Sequence, residues 1–288
     1  MHQLRRTALC AARRAGERGV RTVRIAVLRG EGRLSAGQEQ ARVGAAAPAR
    51  ALNWDGLRNV RDLGGLPTPL SSNGSTAWGR LARGPRQERL TQRGWNAAGA
   101  WGLRTVVDLR CPEEVGRQKG DPDTSPPEHL ALVLAPIEDH SDPGFQAVCL
   151  PILDSPAYWR HHVRLLPGMI RAALQAIARS EPGILVHCAA GRDRTGLITA
   201  LLLANAGVPS ASIVADYAQS VEEMAGTAAH GGPTHDRQAG WSPTQVSAWL
   251  QRVTPEVQAF VADHEEMFAL LKLGQTTRGA LRDLLLTP

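Results

Sequence analysis

Alternating strand and helix patterns predict an α/β fold, a central sheet flanked by helices. Three observations carry this expectation. Leu103–Leu109 is a short apolar run rich in β-branched residues, as a buried strand requires. Gly183–Val186 is a second such run, and a tight glycine-containing loop leads from it into the apolar helical stretch Leu197–Ala206. At 288 residues and 43% hydrophobic content, the chain can bury one domain of roughly 200–240 residues with chain to spare.

The elements follow in order from about Leu52. An early strand is expected around Leu81. Glu88–Trp101 carries a helical pattern that Gly102 stops. After the strand Leu103–Leu109, residues 117–128 are rich in proline and aspartate and must be a loop. Leu130–Ile137 reads as another strand. Residues 138–150 show no clear pattern, and Leu150–Asp154 reads as a strand end opening into a loop. Tyr158–Arg179 is helical, broken or kinked at Pro167-Gly168. The helix ending at Gly207 is followed by a second, Pro209–Glu223. Trp241–Leu250 and Val257–Leu273 are amphipathic helical patterns expected to pack on the body, and Leu281–Leu286 is a short terminal helix or frayed tail. The expected organisation is a basic, disordered extension over 1–50, a catalytic domain over 51–225, a flexible Gly/His-rich loop over 226–240 and a helical segment over 241–288.

Charge is unevenly placed. Residues 1–50 hold eleven arginines against Glu17, Glu31 and Glu39, a net of +8, while the whole chain carries +6. The body is therefore slightly acidic, which argues against nucleic-acid binding by it. The arm lacks the apolar core of a secretory signal. Its arginine-rich, acid-poor composition also suits a mitochondrial presequence or a polybasic membrane contact. The longest apolar stretch, Leu197–Ala206, is too short to span a bilayer. Cys10, Cys111, Cys149 and Cys188 do not suggest a disulfide framework, and a reducing, cytoplasmic setting is the default, with secretion lacking a recognisable signal left open. No cofactor or metal is expected. His230, His235 and Asp236 lack a structured ligand spacing.

The most informative stretch is His187–Gly196, HCAAGRDRTG. A strand, a tight loop and a helix N-terminus place a cysteine at the base and Arg194 on the rim. The backbone N–H groups of residues 189–194 can form an anion nest, and the helix start adds its positive end. This assigns Ala189, Ala190, Gly191, Arg192 and Gly196 to binding a phosphate. Gly191 lets the backbone approach the anion closely. Arg194 supplies a planar fork for two phosphate oxygens. The same field favours a Cys188 thiolate, the form that attacks phosphorus. His187 is expected to face away and orient the turn, and Thr195 to donate its hydroxyl to the sulfur.

Spacing alone would be a weak signal. All basic residues but Lys119 and Lys272 are arginines, so chance Cys-to-Arg spacings are common. Cys111 and Arg117 repeat the six-residue separation, but Pro112, Glu113 and Glu114 lie between them. Proline removes a donor and two carboxylates repel a phosphate, so this pair is a decoy.

At these residues the chain resembles the cysteine-dependent protein tyrosine phosphatase superfamily, and its bacterial branch typified by mycobacterial tyrosine phosphatase B, whose loop reads HCxAGKDRTG. Arg192 stands where that loop has lysine. Asn59–Gly65 resembles the branch's N-x-RDLGG stretch, Thr105–Arg110 its DLR strand and Asp216–Ser220 its DYxxS helix. The chain departs from the branch where Gly79–Arg83 runs into Gly84-Pro85 instead of a serine. The resemblance implies a phosphatase-like α/β fold and a metal-independent reaction through a cysteinyl-phosphate. It also implies phosphotyrosine proteins or peptides as substrates, with phosphoserine/threonine or phosphoinositide activity alongside. An extra cation at Arg192 would suit an inositol head group. Asp193, inside the loop, is the first candidate for the general acid. Asp154, 34 residues before Cys188, and Asp108, at a strand end, are the others. Asp108 also has a structural reading, paired with Arg110. From other classes, a rhodanese-like sulfurtransferase or a non-catalytic phosphate-binding module stays open. The oligomeric state is not legible.

Overall fold

The computed structural model describes residues 49–227 and 240–287. They fall within one compact unit, Pro48–Pro288. The readings of the basic arm and of most of the Gly/His-rich stretch, with His230, His235 and Asp236, lie outside the described residues.

Among the described residues, the chain builds a five-stranded sheet in the order β1-β2-β5-β3-β4. The strands are β1 (Arg61–Asp62), β2 (Leu81–Gly84), β3 (Thr105–Asp108), β4 (Ala131–Leu134) and β5 (Ile184–His187). β1 pairs antiparallel at one edge, and the other four run parallel. Side chains alternate between the two faces. On β5, Ile184 and Val186 join the larger core while Leu185 joins the smaller one with Trp54, Ala82, Trp95 and Val106. The inner strands β2, β3 and β5 are buried on both faces, which explains the apolar runs of β3 and β5, while Leu132 and Leu134 on the edge strand β4 are exposed.

The smaller core is closed by α1 (Gln92–Trp101), capped by Thr91, whose hydroxyl accepts from the Gly94 amide at 3.1 Å. The larger core takes α2 (Pro143–Val148), α3 (Tyr158–Leu165), α4 (Pro167–Arg179), α5 (Asp193–Asn205), α6 (Ser210–Met224), α7 (Pro243–Ala262), α8 (His264–Leu271) and α9 (Gln275–Leu286). α5 is apolar on every side and buried along its length from Arg194 to Asn205, so it is the central helix.

Several boundaries differ from the sequence reading. Leu150–Asp154 is not a strand end: Leu150–Ile152 is a short 3-10 turn continuing from α2, which itself fills the unassigned 138–150 region. Pro151 removes a ladder donor, and Asp142 caps α2 through the Phe145 amide at 2.7 Å. The two amphipathic patterns near the C-terminus divide elsewhere. α7 runs through Pro255, and the break falls at Asp263. Phe260, Met267, Phe268, Leu281 and Leu285 sit in the larger core, and the Leu285 carbonyl accepts from the Ala77 amide at 2.8 Å. The helix after β5 starts at Asp193, four residues earlier than its apolar pattern, because its first turn is polar.

The parallel registers align Gly84, Asp108 and His187 at one level. The loops leaving these strand ends therefore share the C-terminal edge of the sheet, where open α/β sheets bind ligands.

Candidate active site

Cys188 opens the loop at the end of β5, and α5 begins five residues later. Every carbonyl from Ala189 to Arg192 is tied down. Ala189 O accepts from the Arg86 amide at 3.1 Å. Ala190 O and Gly191 O accept from the Asn59 side-chain amide at 3.0 and 3.2 Å. Gly191 O also accepts from the Arg83 guanidinium at 2.6 Å, and Arg192 O from the Gly196 amide at 2.7 Å. In a trans peptide the N–H points opposite to the C=O. The amides of residues 190–193 are thus turned away from the scaffold, and none gives a hydrogen bond to another described residue. Amides left free in this way can form an anion nest.

Gly191 is required twice. Its φ is +70°, and a Cβ there would lie 2.4 Å from the backbone of Gly84. The Gly84-Pro85 step that departs from the family pattern is the surface against which the loop packs.

The backing network uses the other motif segments. Asp216 on α6 binds Arg50 at 2.5 Å, Arg61 at 2.8 Å and Arg83 at 2.5 Å. Arg61 also donates to Asn59 Oδ1 at 2.6 Å and to Ser220 Oγ at 2.8 Å. Burial opposes ionisation of Asp216, but the three arginines outweigh it and hold the carboxyl far below its ordinary value. Burial pushes the Arg83 guanidinium down to about 10, still charged at neutral pH. Asp62 accepts from the Gly64 and Gly79 amides and from the Trp101 indole, pinning the turns beside β1.

Arg194 is 6% exposed and sits on the rim between two carboxylates. Its two terminal nitrogens donate to Glu114 at 2.5 and 2.7 Å, and its Nε lies 3.5 Å from Glu138. The fork expected to face phosphate is thus held by Glu114. The charges of Arg83 and Arg194 both act on the Cys188 sulfur.

Asp193 accepts from Arg192 Nε at 2.8 Å and from the Tyr217 hydroxyl at 3.2 Å. Burial raises its carboxyl, against the opposing pull of Arg192. Arg192 also donates to the Asp154 carbonyl at 3.3 Å, so the two leading acid candidates share one rim.

Asp108 and Thr195 differ in detail from the sequence reading. Asp108 receives the Arg110 amide at 3.0 Å and its guanidinium at 2.6 and 2.9 Å. Despite burial, His187 and Arg110 hold its carboxyl below the ordinary value. An ionised Asp108 engaged in this way fits its structural reading, paired with Arg110, better than the acid or ligand reading. The Thr195 hydroxyl is buried and makes no hydrogen bond among the described residues, so the expected bond to sulfur is not formed. Cys111 caps a short 3-10 turn, Pro112–Glu114, and burial pushes its thiol up to about 12, which makes it a poor nucleophile. His187 is fully buried, with Nδ1 3.0 Å from the Cys188 carbonyl and 3.8 Å from Asp108. That placement fits the orienting role expected of it.

Sequence reasoning assigned no role to Glu114, Glu138, Asn59, Arg83 or Tyr217. Asn59 and Tyr217 lie inside quoted motifs, and the strained φ of +58° at Asn59 is compatible with asparagine's tolerance of that region.

The family model described as "Tyrosine phosphatase family" matches residues 52–287. A Cupriavidus necator protein provisionally named as a tyrosine-protein phosphatase is 30% identical over 183 residues, covering 60% of this chain and 64% of its own length. A tyrosine-protein phosphatase of Nostoc commune is 32% identical over 144 residues, 48% of this chain and 47% of its own. The triple specificity protein phosphatase PtpB of Mycobacterium tuberculosis is 29% identical over 195 residues, 59% of this chain and 68% of its own. The chain thus spans about half to two thirds of the length of the curated relatives it matches.

Proposed function

The chain belongs to the tyrosine phosphatase family, and from that premise we propose that it hydrolyses phosphate monoesters, phosphotyrosine first among them, through a phosphorylated Cys188. The observation that carries this reading is the loop after Cys188: the carbonyls of residues 189–192 are tied down, and the amides of residues 190–193 give no hydrogen bond to another described residue, which leaves them free for an anion.

A phosphate dianion enters the nest and exchanges with Glu114 for part of the Arg194 fork. The Cys188 sulfur attacks phosphorus as the P–O bond to the leaving group breaks. Asp193 gives its proton to the departing oxygen. Water then attacks phosphorus, the S–P bond breaks and inorganic phosphate leaves, with Asp193 taking a proton from that water. The amides and Arg194 stabilise charge on the three equatorial oxygens in both steps. Asp193 is preferred to Asp154 because it is fixed within the loop by Arg192 and Tyr217, and because burial raises its carboxyl so that more of it is protonated as neutrality is approached. The relatives' names support a tyrosine phosphatase with broader specificity, as one of them is called triple specificity. Phosphopeptides are the first substrates to test and phosphoinositides the second, because the family and the relatives are named for tyrosine phosphatases.

The test is hydrolysis of p-nitrophenyl phosphate and of a phosphotyrosyl peptide in EDTA, with acid-quench mass analysis for a phosphate adduct on the Cys188 peptide. Wild type is expected to turn over both and to show the adduct. Asp193→Asn is expected to lose about 10²–10³-fold in kcat on the peptide, less on p-nitrophenyl phosphate, whose leaving group needs little acid help. The wild-type decline in kcat above the raised carboxyl value should disappear in that variant. Equal losses on both substrates would remove Asp193 from the acid role, and absence of turnover in folded wild type would overturn the reading.

A further inference from the structure

Beyond the phosphatase loop, one cluster of ligand-type side chains is not used by the chemistry above. The Cys111 sulfur, a Glu113 carboxylate oxygen and a His140 ring nitrogen all lie within 4.8 Å of one another. We propose that Cys111, Glu113 and His140 form a binding site for a zinc-class divalent cation. A second part of the proposal rests on the phosphatase reading: an ion bound there inhibits the enzyme by fixing the turn that holds Arg194.

The donor set fits that class of ion. One thiolate, one imidazole and one carboxylate is a zinc-type combination, and three protein ligands leave a fourth position for water. Tetrahedral zinc bonds place ligand atoms roughly 3.4–3.7 Å apart, so the three groups need only small side-chain movements to close on an ion. Two of them are already ordered by one residue. The Cys111 sulfur donates to the Glu138 carbonyl at 3.3 Å, and the His140 Nε2 lies 3.1 Å from the Glu138 carboxylate. Phe145 stacks on the His140 ring at 5.7 Å. Glu113 is exposed and His140 half-buried, which gives an ion a path inward. Glu113, Glu114 and Glu138 outnumber the nearby cation, Arg194. Binding would release the Cys111 thiol proton to solvent as the metal–sulfur bond forms.

The link to the active site is covalent and short. Glu113 precedes Glu114, which pairs with Arg194, and Glu138 touches both His140 and Arg194. Coordination of Glu113 fixes the turn with Glu114 on the fork, against exchange with phosphate.

The experiment titrates EDTA-treated, desalted, full-length protein with Co²⁺ and follows the near-ultraviolet thiolate-to-cobalt band. One equivalent of Co²⁺ should raise the band in wild type and in Cys188→Ser, and Zn²⁺ should bleach it. Cys111→Ser should lose the band, and Glu113→Gln, a surface change that leaves the core intact, should weaken binding about 10-fold or more. Histidines binding Co²⁺ elsewhere give no thiolate band. No band in wild type, a band that survives Cys111→Ser, or one lost in Cys188→Ser overturns the site. Zn²⁺ should inhibit p-nitrophenyl phosphate hydrolysis by wild type at concentrations at least about 10-fold below those needed for Glu113→Gln. Equal inhibition overturns the coupling while the absorbance result stands by itself. An inactive but band-forming wild type would overturn the phosphatase reading and leave the metal site supported.

Discussion

Replacing Cys188 with serine is expected to lower kcat for p-nitrophenyl phosphate by at least about 10⁴-fold, a barrier increase of roughly 5.4 kcal/mol. A serine hydroxyl is not ionised at neutral pH and needs a base to become a nucleophile. In the proposed mechanism Asp193, held by Arg192 and Tyr217, serves the leaving-group oxygen and the attacking water, not the nucleophile. His187 is the nearest candidate in sequence, but its Nδ1 faces the Cys188 carbonyl and Asp108, and its ring is fully buried within the sheet edge. Arg83 and Arg194 would remain in place, but neither is a base that could take the proton of a serine hydroxyl. Phosphate binding should persist, because the nest is made of backbone amides whose orientation depends on Asn59, Arg83 and Arg86, not on the sulfur. Calorimetric titration with inorganic phosphate and steady-state kinetics on the same preparation separate the two effects. Residual activity above about 1% of wild type would remove Cys188 from the nucleophile's role. Loss of phosphate binding together with activity would mean the side chain is holding the loop.

How much of this site the sequence revealed depended on whether each requirement was local. The loop was legible because its constraints lie within ten residues: a glycine at positive φ, small neighbours, a polar helix start and an apolar strand before it. The strands β3 and β5 were legible for the same reason, since burial on both faces imposes an unbroken apolar run. The partners of Arg194 were not legible. Glu114 lies 80 positions away, and a carboxylate in a turn has no periodic signature. In the sequence Glu114 counts against a phosphate site at Cys111; the fold turns that same charge onto Arg194. The C-terminal patterns read as two helices with residues 251–256 between them, a gap that contains Pro255. α7 continues through it with Val253, Val257 and Phe260 buried on one face, so packing outweighs the missing hydrogen bond. The Asp216 segment was recognised as a string before its physical role was apparent. Only the fold shows that it gathers arginines from Arg50, β1 and β2 behind one loop.

That gathering gives the largest expected effect on stability. Asp216→Asn should destabilise the protein by about 3 kcal/mol or more, since it leaves Arg61 and Arg83 buried without their counter-charge. For a domain of this size the midpoint of thermal unfolding should fall by roughly 6–12 °C. The sign of the pH dependence follows from the depressed carboxyl. In wild type the contribution of Asp216 is fully present above the unfolded carboxylate value, about 3.9, and is lost progressively as pH falls below it toward the much lower folded value. The gap in stability between wild type and variant should therefore be constant from pH 5 to 7 and narrow only in stronger acid. Catalysis should fall as well. Arg83 holds the Gly191 carbonyl, and Arg61 holds the asparagine that ties down Ala190 and Gly191. If these arginines shift, the amides above Cys188 lose their common direction, and kcat on p-nitrophenyl phosphate should drop at least about 10-fold at a temperature where the variant is still folded. A variant that unfolds earlier yet turns over at the wild-type rate would show that the arginine cluster stabilises the fold without setting the loop. A variant with unchanged melting would show that the amide of asparagine satisfies the three guanidinium groups, and that the buried charge on Asp216 contributes little.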